Sequence, residues 1–420
     1  MEHYQSKTDC VLCNGKELIN LVTFPETPIA NQLFTASTLP PEGQKKYPLG
    51  LVMCGECRHI QIDTLINPNI LFFEYPYVSN SSQTMAKRLE GLRDSYVERF
   101  DLSSKDFVLE VGSNDGYLLS LFQRSNVRVL GVDPAVTAAE IATRSNVPTV
   151  VDFFSTEVAE EILINHDRPS LIIANNVLAH SDDLQNIFNG ISLLMNKSTS
   201  LVIEFSYVVD IFEKLIFDTI YHEHTSYHSI EPLVEFLSGF GLEIYDVERF
   251  DAHGGSARVF IKRYEGIQTI EKSVQKARMY EDALGIHNQE IWLNFDSRIK
   301  ELRNQVKHAI SKVKSAGETL VGYGVPAKFS TLFYVLQLDE NDFDFIVDDN
   351  SLKIGRYAPG TSIMIKDSAD VAGVDNVLIF SWNYAESISA KIKKLNVASK
   401  RIILPLPEFL VKNIKNNHSG

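Results

Sequence analysis

Residues 106–117 read Asp106-Phe107-Val108-Leu109-Glu110-Val111-Gly112-Ser113-Asn114-Asp115-Gly116-Tyr117, an apolar run that ends in a glycine-containing turn and opens into a helical pattern. A strand feeding a helix through such a turn is where an open α/β sheet holds a ligand over its carboxyl edge. Gly112 and Gly116 let the backbone come close to that ligand. The next apolar run, 127–133, ends in Asp133, placed to accept hydrogen bonds from both hydroxyls of a ribose. Further short runs at 171–177 and 200–206 alternate with helical stretches, and the alternation predicts an α/β fold with a mostly parallel sheet. The runs 242–250 and 257–264, joined by Ala252-His253-Gly254-Gly255-Ser256, are expected to close the sheet edge as an antiparallel hairpin.

Carboxylates inside the turn select the ligand. The pyrophosphate of a dinucleotide needs backbone N–H groups and a helix N-terminus, and Glu110 and Asp115 would repel it. S-adenosylmethionine carries a sulfonium and an ammonium, which the same acids attract. It is the expected cofactor, surrounded by Glu110, Gly112, Asn114, Asp115, Gly116 and Asp133. Asp152 and Phe153, at the next strand end, are placed against the adenine, and Asn175 against the methionyl part. A helix cap is the plainer alternative for Asp152.

Upstream of this turn, all 4 cysteines fall into two Cys-x-x-Cys pairs, Cys10/Cys13 and Cys54/Cys57. Two loops each offering two thiolates match a tetrahedral zinc ion, and a four-cysteine site leaves no open position for substrate, so the metal is expected to be structural. Residues 1–80 read as a small zinc-binding domain that relies on the metal to stay folded. Downstream, 266–315 is charged and free of proline, predicting one or two long helices. A second α/β alternation follows, with apolar runs at 319–325, 343–349, 377–383 and 401–407. The expected boundaries are therefore 1–80, 81–265, and 266–420 for a helical connector with a C-terminal Rossmann-like α/β part.

The chain has 420 residues, 44% of them hydrophobic, and a formal charge of −14. That charge argues against a broad nucleic-acid surface, which would need a basic stripe, and leaves room for a local anion pocket. No apolar run approaches the roughly 18 residues of a membrane span, and the polar start lacks a secretory apolar region. A cytoplasmic protein with no membrane, nucleic-acid or obligate protein partner is expected.

Several motifs occur in a fixed order: the paired Cys-x-x-Cys, Glu110 to Gly116, Asn176-Val177-Leu178-Ala179-His180, Tyr221-His222-Glu223-His224, His253-Gly254-Gly255-Ser256, and Gly322-Tyr323-Gly324 followed by Ala327-Lys328. Over nearly its whole length the chain resembles the sugar C-methyltransferases that act on nucleotide-linked 4-keto-deoxysugars. The resemblance implies a class I methyltransferase sheet flanked by a zinc-binding part and a Rossmann-like C-terminal part. It also implies a nucleotide-diphosphate 4-keto-deoxysugar as substrate, methylated at C3. Two departures are Pro326, where the family has a run of small residues, and Tyr75-Pro76-Tyr77, whose spacing is this chain's own.

Methylating carbon requires a carbanion equivalent, which a ketone at sugar C4 provides by acidifying the neighbouring C–H. Imidazole is the natural base, and both chemistry and resemblance point to His224, with Glu223 orienting a histidine, Tyr221 donating to the developing oxyanion and His180 as a second base or donor. His222, Tyr221, Tyr75 and Tyr77 are expected at the sugar, and Gly324 and Lys328 at the nucleotide, with Lys328 on a phosphate. The plainer alternatives are a divalent-metal pair or surface histidines for His222 and His224, core aromatics for Tyr75 and Tyr77, and a surface lysine for Lys328. An O- or N-methyltransferase and a non-catalytic nucleotide-sugar-binding protein are the competing functions. An oxidoreductase lacks a complete dinucleotide fingerprint.

Overall fold

The computed structural model describes residues 3–38, 43–71, 83–252, 254–395 and 401–414; Tyr75, Tyr77 and His253 lie outside them. The N-terminal strands are β1 (Tyr4–Ser6), β2 (Leu18–Pro28), β3 (Lys46–Cys54), β4 (Ile60–Ile62) and β5 (Thr64–Ile66). A long antiparallel β2–β3 pair carries β4 on its free edge, and β1 pairs with β5.

The central strands are β6 (Phe107–Val111), β7 (Arg128–Val132), β8 (Thr149–Val150), β9 (Leu171–Asn175), β10 (Ser200–Ser206), β11 (Ser226–Tyr227), β12 (Leu242–Phe250) and β13 (Ser256–Arg263). All but β11 form one sheet in the order β12-β13-β10-β9-β6-β7-β8. Strands β6 to β10 run parallel, and β12 and β13 form the expected antiparallel hairpin at the edge. Because these strands are covered on both faces, they read as nearly unbroken apolar runs. The two-residue strand β11 instead pairs antiparallel with β4 and completes the N-terminal sheet. The sequence reading did not anticipate that exchange.

The 266–315 stretch forms two helices, Lys272–Leu284 closed at Gly285, and Gln289–Ser315. In the second, Trp292, Phe295, Ile299, Leu302, Val306, Ile310 and Val313 are buried, a stripe at the three- and four-residue spacing that puts one helix face into a core. The first helix supplies Glu281, whose buried carboxylate accepts from the Tyr207 hydroxyl at 2.6 Å and from the main-chain N–H groups of Ile230 and Glu231 at 2.6 and 3.1 Å. It thereby satisfies donors that the helix Ile230–Ser238 cannot pair internally.

The last strands are β14 (Leu320–Tyr323), β15 (Phe345–Asp348), β16 (Ile365–Asp367), β17 (Asn376–Ile379), β18 (Arg401–Leu404) and β19 (Leu410–Asn413). They form a doubly wound sheet in the order β16-β15-β14-β17-β18-β19, parallel except for β19. A single apolar cluster runs from Leu12 and Cys54 through Ile172, Phe217 and Trp292 to Phe380. The cysteine-bearing sheet, the central sheet and the C-terminal sheet thus share one core.

Candidate functional site

The turn after β6 has the expected backbone. Gly112 takes φ 69°, a left-handed conformation that a side chain would strain, and its N–H bonds the Val132 carbonyl at 2.8 Å. A β-carbon there would lie 2.3 Å from Val177 Cγ2. The space around Gly112 is therefore claimed by the loop after β9 and not, as expected from sequence, by a ligand alone. Asp133, expected as a ribose acceptor, also has a role within the protein. Its two oxygens take the N–H groups of Asn114 and Ala135 at 2.8 and 2.9 Å, so it fixes the turn itself.

Glu110, Asp115 and Asp133 are all buried. Burial, with Asp115 and Asp133 as neighbours, raises the Glu110 carboxyl well above the usual range, and burial also raises Asp133. Glu110 Oε2 and Asn175 Oδ1 are buried without a hydrogen-bond partner among the described residues. Unpaired acceptors beside clustered acids fit a cationic ligand that brings N–H donors, which is the chemistry of S-adenosylmethionine. Asp152 and Phe153 stand exposed just beyond β8. Asp152 does not cap the following helix, because Ser155 does so through Val158 N–H.

On the same carboxyl edge, Tyr221 and His224 bond each other. The Tyr221 hydroxyl lies 2.9 Å from His224 Nε2, and His224 Nδ1 lies 3.0 Å from the Thr219 carbonyl. A carbonyl only accepts, so Nδ1 carries the proton and the Nε2 lone pair receives the tyrosine hydroxyl. His180, at the end of the short helix Leu178–His180, meets His224 edge-on with ring centroids 4.9 Å apart. Burial lowers His180 to about 4, so it is neutral near pH 7.

Glu223 and His222 depart from their expected roles. The Glu223 carboxyl is bonded by the Asn31 side chain, only its backbone bonds a histidine, His180, and burial raises the carboxyl to about 8. Unfolded, it would lose its proton near the ordinary 4.5. Between those values the unfolded chain releases a proton that the folded chain keeps, so the fold loses stability as pH rises from 4.5 to about 8. Glu223→Gln should match the wild-type unfolding midpoint at pH 4 and exceed it at pH 8; equal midpoints at both would mean the buried carboxyl is already ionised. His222 is 1% exposed, donates Nε2–H to the Pro48 carbonyl at 2.9 Å and meets Tyr47 edge-on. Those contacts belong to the N-terminal sheet and not to a sugar.

The C-terminal candidates are also engaged by the protein. A β-carbon at Gly324, φ 89°, would lie 2.0 Å from Ser381 Oγ, so the glycine serves close packing of β14 against the turn after β17. The N–H groups of Gly324 and Val325 go to the Val347 carbonyl and to Asp348 Oδ2, each at 2.7 Å, and do not face a phosphate. Lys328 sits over the Trp382 ring at 5.0 Å. Burial lowers its pKa against the opposing pull of Asp218, whose other neighbour is the Trp382 indole N–H at 2.6 Å. An anion reaching Lys328 would have to compete with Asp218.

The four cysteine sulfurs lie within 4.8 Å of one another, with Cys10–Cys57 and Cys13–Cys54 each at 3.5 Å. A zinc ion bound at about 2.3 Å to each sulfur needs such spacing. The donor set fits zinc, held by all four.

A methyltransferase-domain family matches residues 84–247, a family described as the C-methyltransferase C-terminal domain matches 251–407, and a family whose description proposes zinc binding matches 10–72. The C-methyltransferase NovU of Streptomyces niveus is 33% identical over 402 residues, covering 95% of this chain and 96% of its own. The chain belongs to this three-part C-methyltransferase family. Among solved structures, the PH0226 protein of Pyrococcus horikoshii OT3 is 15% identical, with 46% of this chain and 97% of that one covered and a TM-score of 0.36. The magnesium protoporphyrin IX methyltransferase of Synechocystis PCC 6803 is 13% identical, with 42% and 79% covered and a TM-score of 0.32.

This C-methyltransferase is an S-adenosylmethionine-dependent enzyme on the class I sheet expected from its sequence. No helix among the described residues is long and apolar enough to cross a membrane. Sequence reasoning missed one charged group beneath the site. Glu204, fully buried on β10, pairs with Arg88 and with Arg258, the latter at 3.0 Å, and accepts from the Asn176 side chain at 3.2 Å. Burial pushes this carboxyl up, but the two guanidinium groups hold it below the usual range. A lone acid inside the apolar run 200–206 was the available signal.

Proposed function

We propose that the enzyme transfers a methyl group from S-adenosylmethionine to C3 of a nucleotide-diphosphate-linked 4-keto-deoxysugar, through an enolate formed by the Tyr221–His224 pair. The observation that carries this reading is the fixed tautomer of His224: with Nδ1–H held on the Thr219 carbonyl, Nε2 is a base, and it is already joined to the Tyr221 hydroxyl. The C3–H proton passes to Nε2 directly or through the tyrosine oxygen, whose own proton then moves to Nε2, and the C3–H electron pair enters the enolate. The neutral His180 ring beside them is the donor proposed for the enolate oxygen. When bound, the cofactor supplies an electrophilic methyl on sulfur. Glu110, Asp115, Asp133 and Asn175 hold its cationic and ribose parts, and Asp152 and Phe153 border the adenine. The nucleotide is assigned to the carboxyl ends of β14 and β17, where the strand order of the last sheet reverses and Lys328 opens the following helix.

A C4 ketone acidifies the hydrogens on C3 and C5 alike, so proton exchange tests both the mechanism and the position. With S-adenosylhomocysteine bound in place of the methyl donor, the enzyme in deuterium oxide should exchange the C3 hydrogen of a 4-keto sugar nucleotide. Exchange at C5 instead would move the methylated carbon. No exchange, with methyl appearing on oxygen or nitrogen, would replace the reading by an O- or N-methyltransferase, and binding without turnover by a sugar-nucleotide-binding protein.

A further inference from the structure

We propose that the cysteine-bearing sheet is a working part of the catalytic site, and that His222 is the positioning residue through which it acts. The proposal rests on the reading of Tyr221 and His224 as the base. The segment carrying them is attached to that sheet at successive points. His222 Nε2–H bonds the Pro48 carbonyl at 2.9 Å, Glu223 meets Asn31, the Thr225 carbonyl takes the Ile62 N–H at 3.1 Å, and Ser226–Tyr227 pairs with β4 as its edge strand. Ser226 Oγ also lies 3.2 Å from His59 Nε2. Tyr221 and His224 sit between and beside these attachments, and their 2.9 Å bond requires both to be held in register.

The other two parts of the chain fasten the same segment from different directions. Thr225 N–H goes to the Ala179 carbonyl at 2.6 Å, next to His180, and the Thr331 hydroxyl to the Ile220 carbonyl at 2.6 Å. Of the attachments made by the N-terminal sheet, the bond on His222 is the one adjacent in the chain to Tyr221. An imidazole this deeply buried, with Nδ1 left unpartnered among the described residues, gains nothing from its ring charge. Its use is a rigid donor at the right reach for a carbonyl.

The deciding comparison is His222→Phe against His222→Gln. Phenylalanine keeps the ring shape and loses the donor, whereas glutamine keeps an N–H at comparable reach. In the full-length zinc-loaded enzyme, His222→Phe should lower kcat by about tenfold, the equivalent of one hydrogen bond, while zinc content and S-adenosylhomocysteine affinity stay at wild-type values. Amide hydrogen exchange over residues 219–227 should quicken in the same variant. His222→Gln should restore both. Wild-type kcat in His222→Phe with unchanged amide protection overturns the proposal, as does lost turnover without faster amide exchange, which would put His222 at the substrate. Faster amide exchange with unchanged kcat would leave the attachment standing and instead remove the base from this segment.

Discussion

His224→Ala should bind S-adenosylhomocysteine with near wild-type affinity and lose turnover by on the order of 10²–10⁴, the usual worth of a positioned acid or base. The cofactor contacts proposed above come from the turn after β6 and from Asp133 and Asn175, whereas His224 bonds Thr219 and Tyr221, so the two functions are assigned to different segments. A sugar C–H beside a ketone is still too weak an acid for water to ionise quickly, while the methyl donor is already activated by its positive sulfur. Removing the imidazole also removes the Tyr221 hydroxyl's 2.9 Å bond to Nε2. Proton exchange at the sugar carbon should therefore fall in parallel with methyl transfer. Surviving exchange in a variant that no longer methylates would pass the base to Tyr221 or His180.

The largest stability effect is expected at Glu204. Glu204→Ala leaves Arg88 and Arg258 facing each other without their shared carboxylate and frees the Asn176 side chain. Breaking a buried ionic cluster by removing one partner costs roughly 3–5 kcal/mol. Arg258 is itself half-buried between the Tyr96 and Phe250 rings, so water cannot readily replace the lost partner. The effect should appear in urea unfolding followed in the central sheet, with the helix Gln83–Arg99 losing amide protection first because Arg88 is its link to β10. A cost below about 1 kcal/mol, the value of an exposed ion pair, would show that the cluster is well solvated.

Much of this was legible from composition and order. The runs 200–206 and 242–250 coincide with β10 and β12, because strands covered on both faces or half-covered at an edge leave a clear apolar pattern. The cysteine spacing gave the metal cluster. The two-residue strand β11 left no pattern, since two residues have no period and its partner lies far back in the chain. Adjacent residues also hid opposite duties. His222 turns its hydrogen bond to Pro48 while His224 keeps its own near Tyr221, and sequence carries no mark of which neighbour a side chain meets. The packing of Gly112 against Val177 left no mark in the sequence for the same reason.

The pairing of Ser226–Tyr227 with β4 also fixes when the chain can finish folding. During synthesis the cysteine pairs and β2, β3 and β4 emerge first, and the outer edge of β4 stays uncovered until five parallel strands of the central sheet have been made. An uncovered strand edge is a template for pairing with another molecule. A nascent chain that stops short of residue 226 would hold its four thiols ready and still present that edge to its neighbours on the polysome. The step that protects the growing polypeptide from self-association is thus the same step that seats Tyr221 and His224.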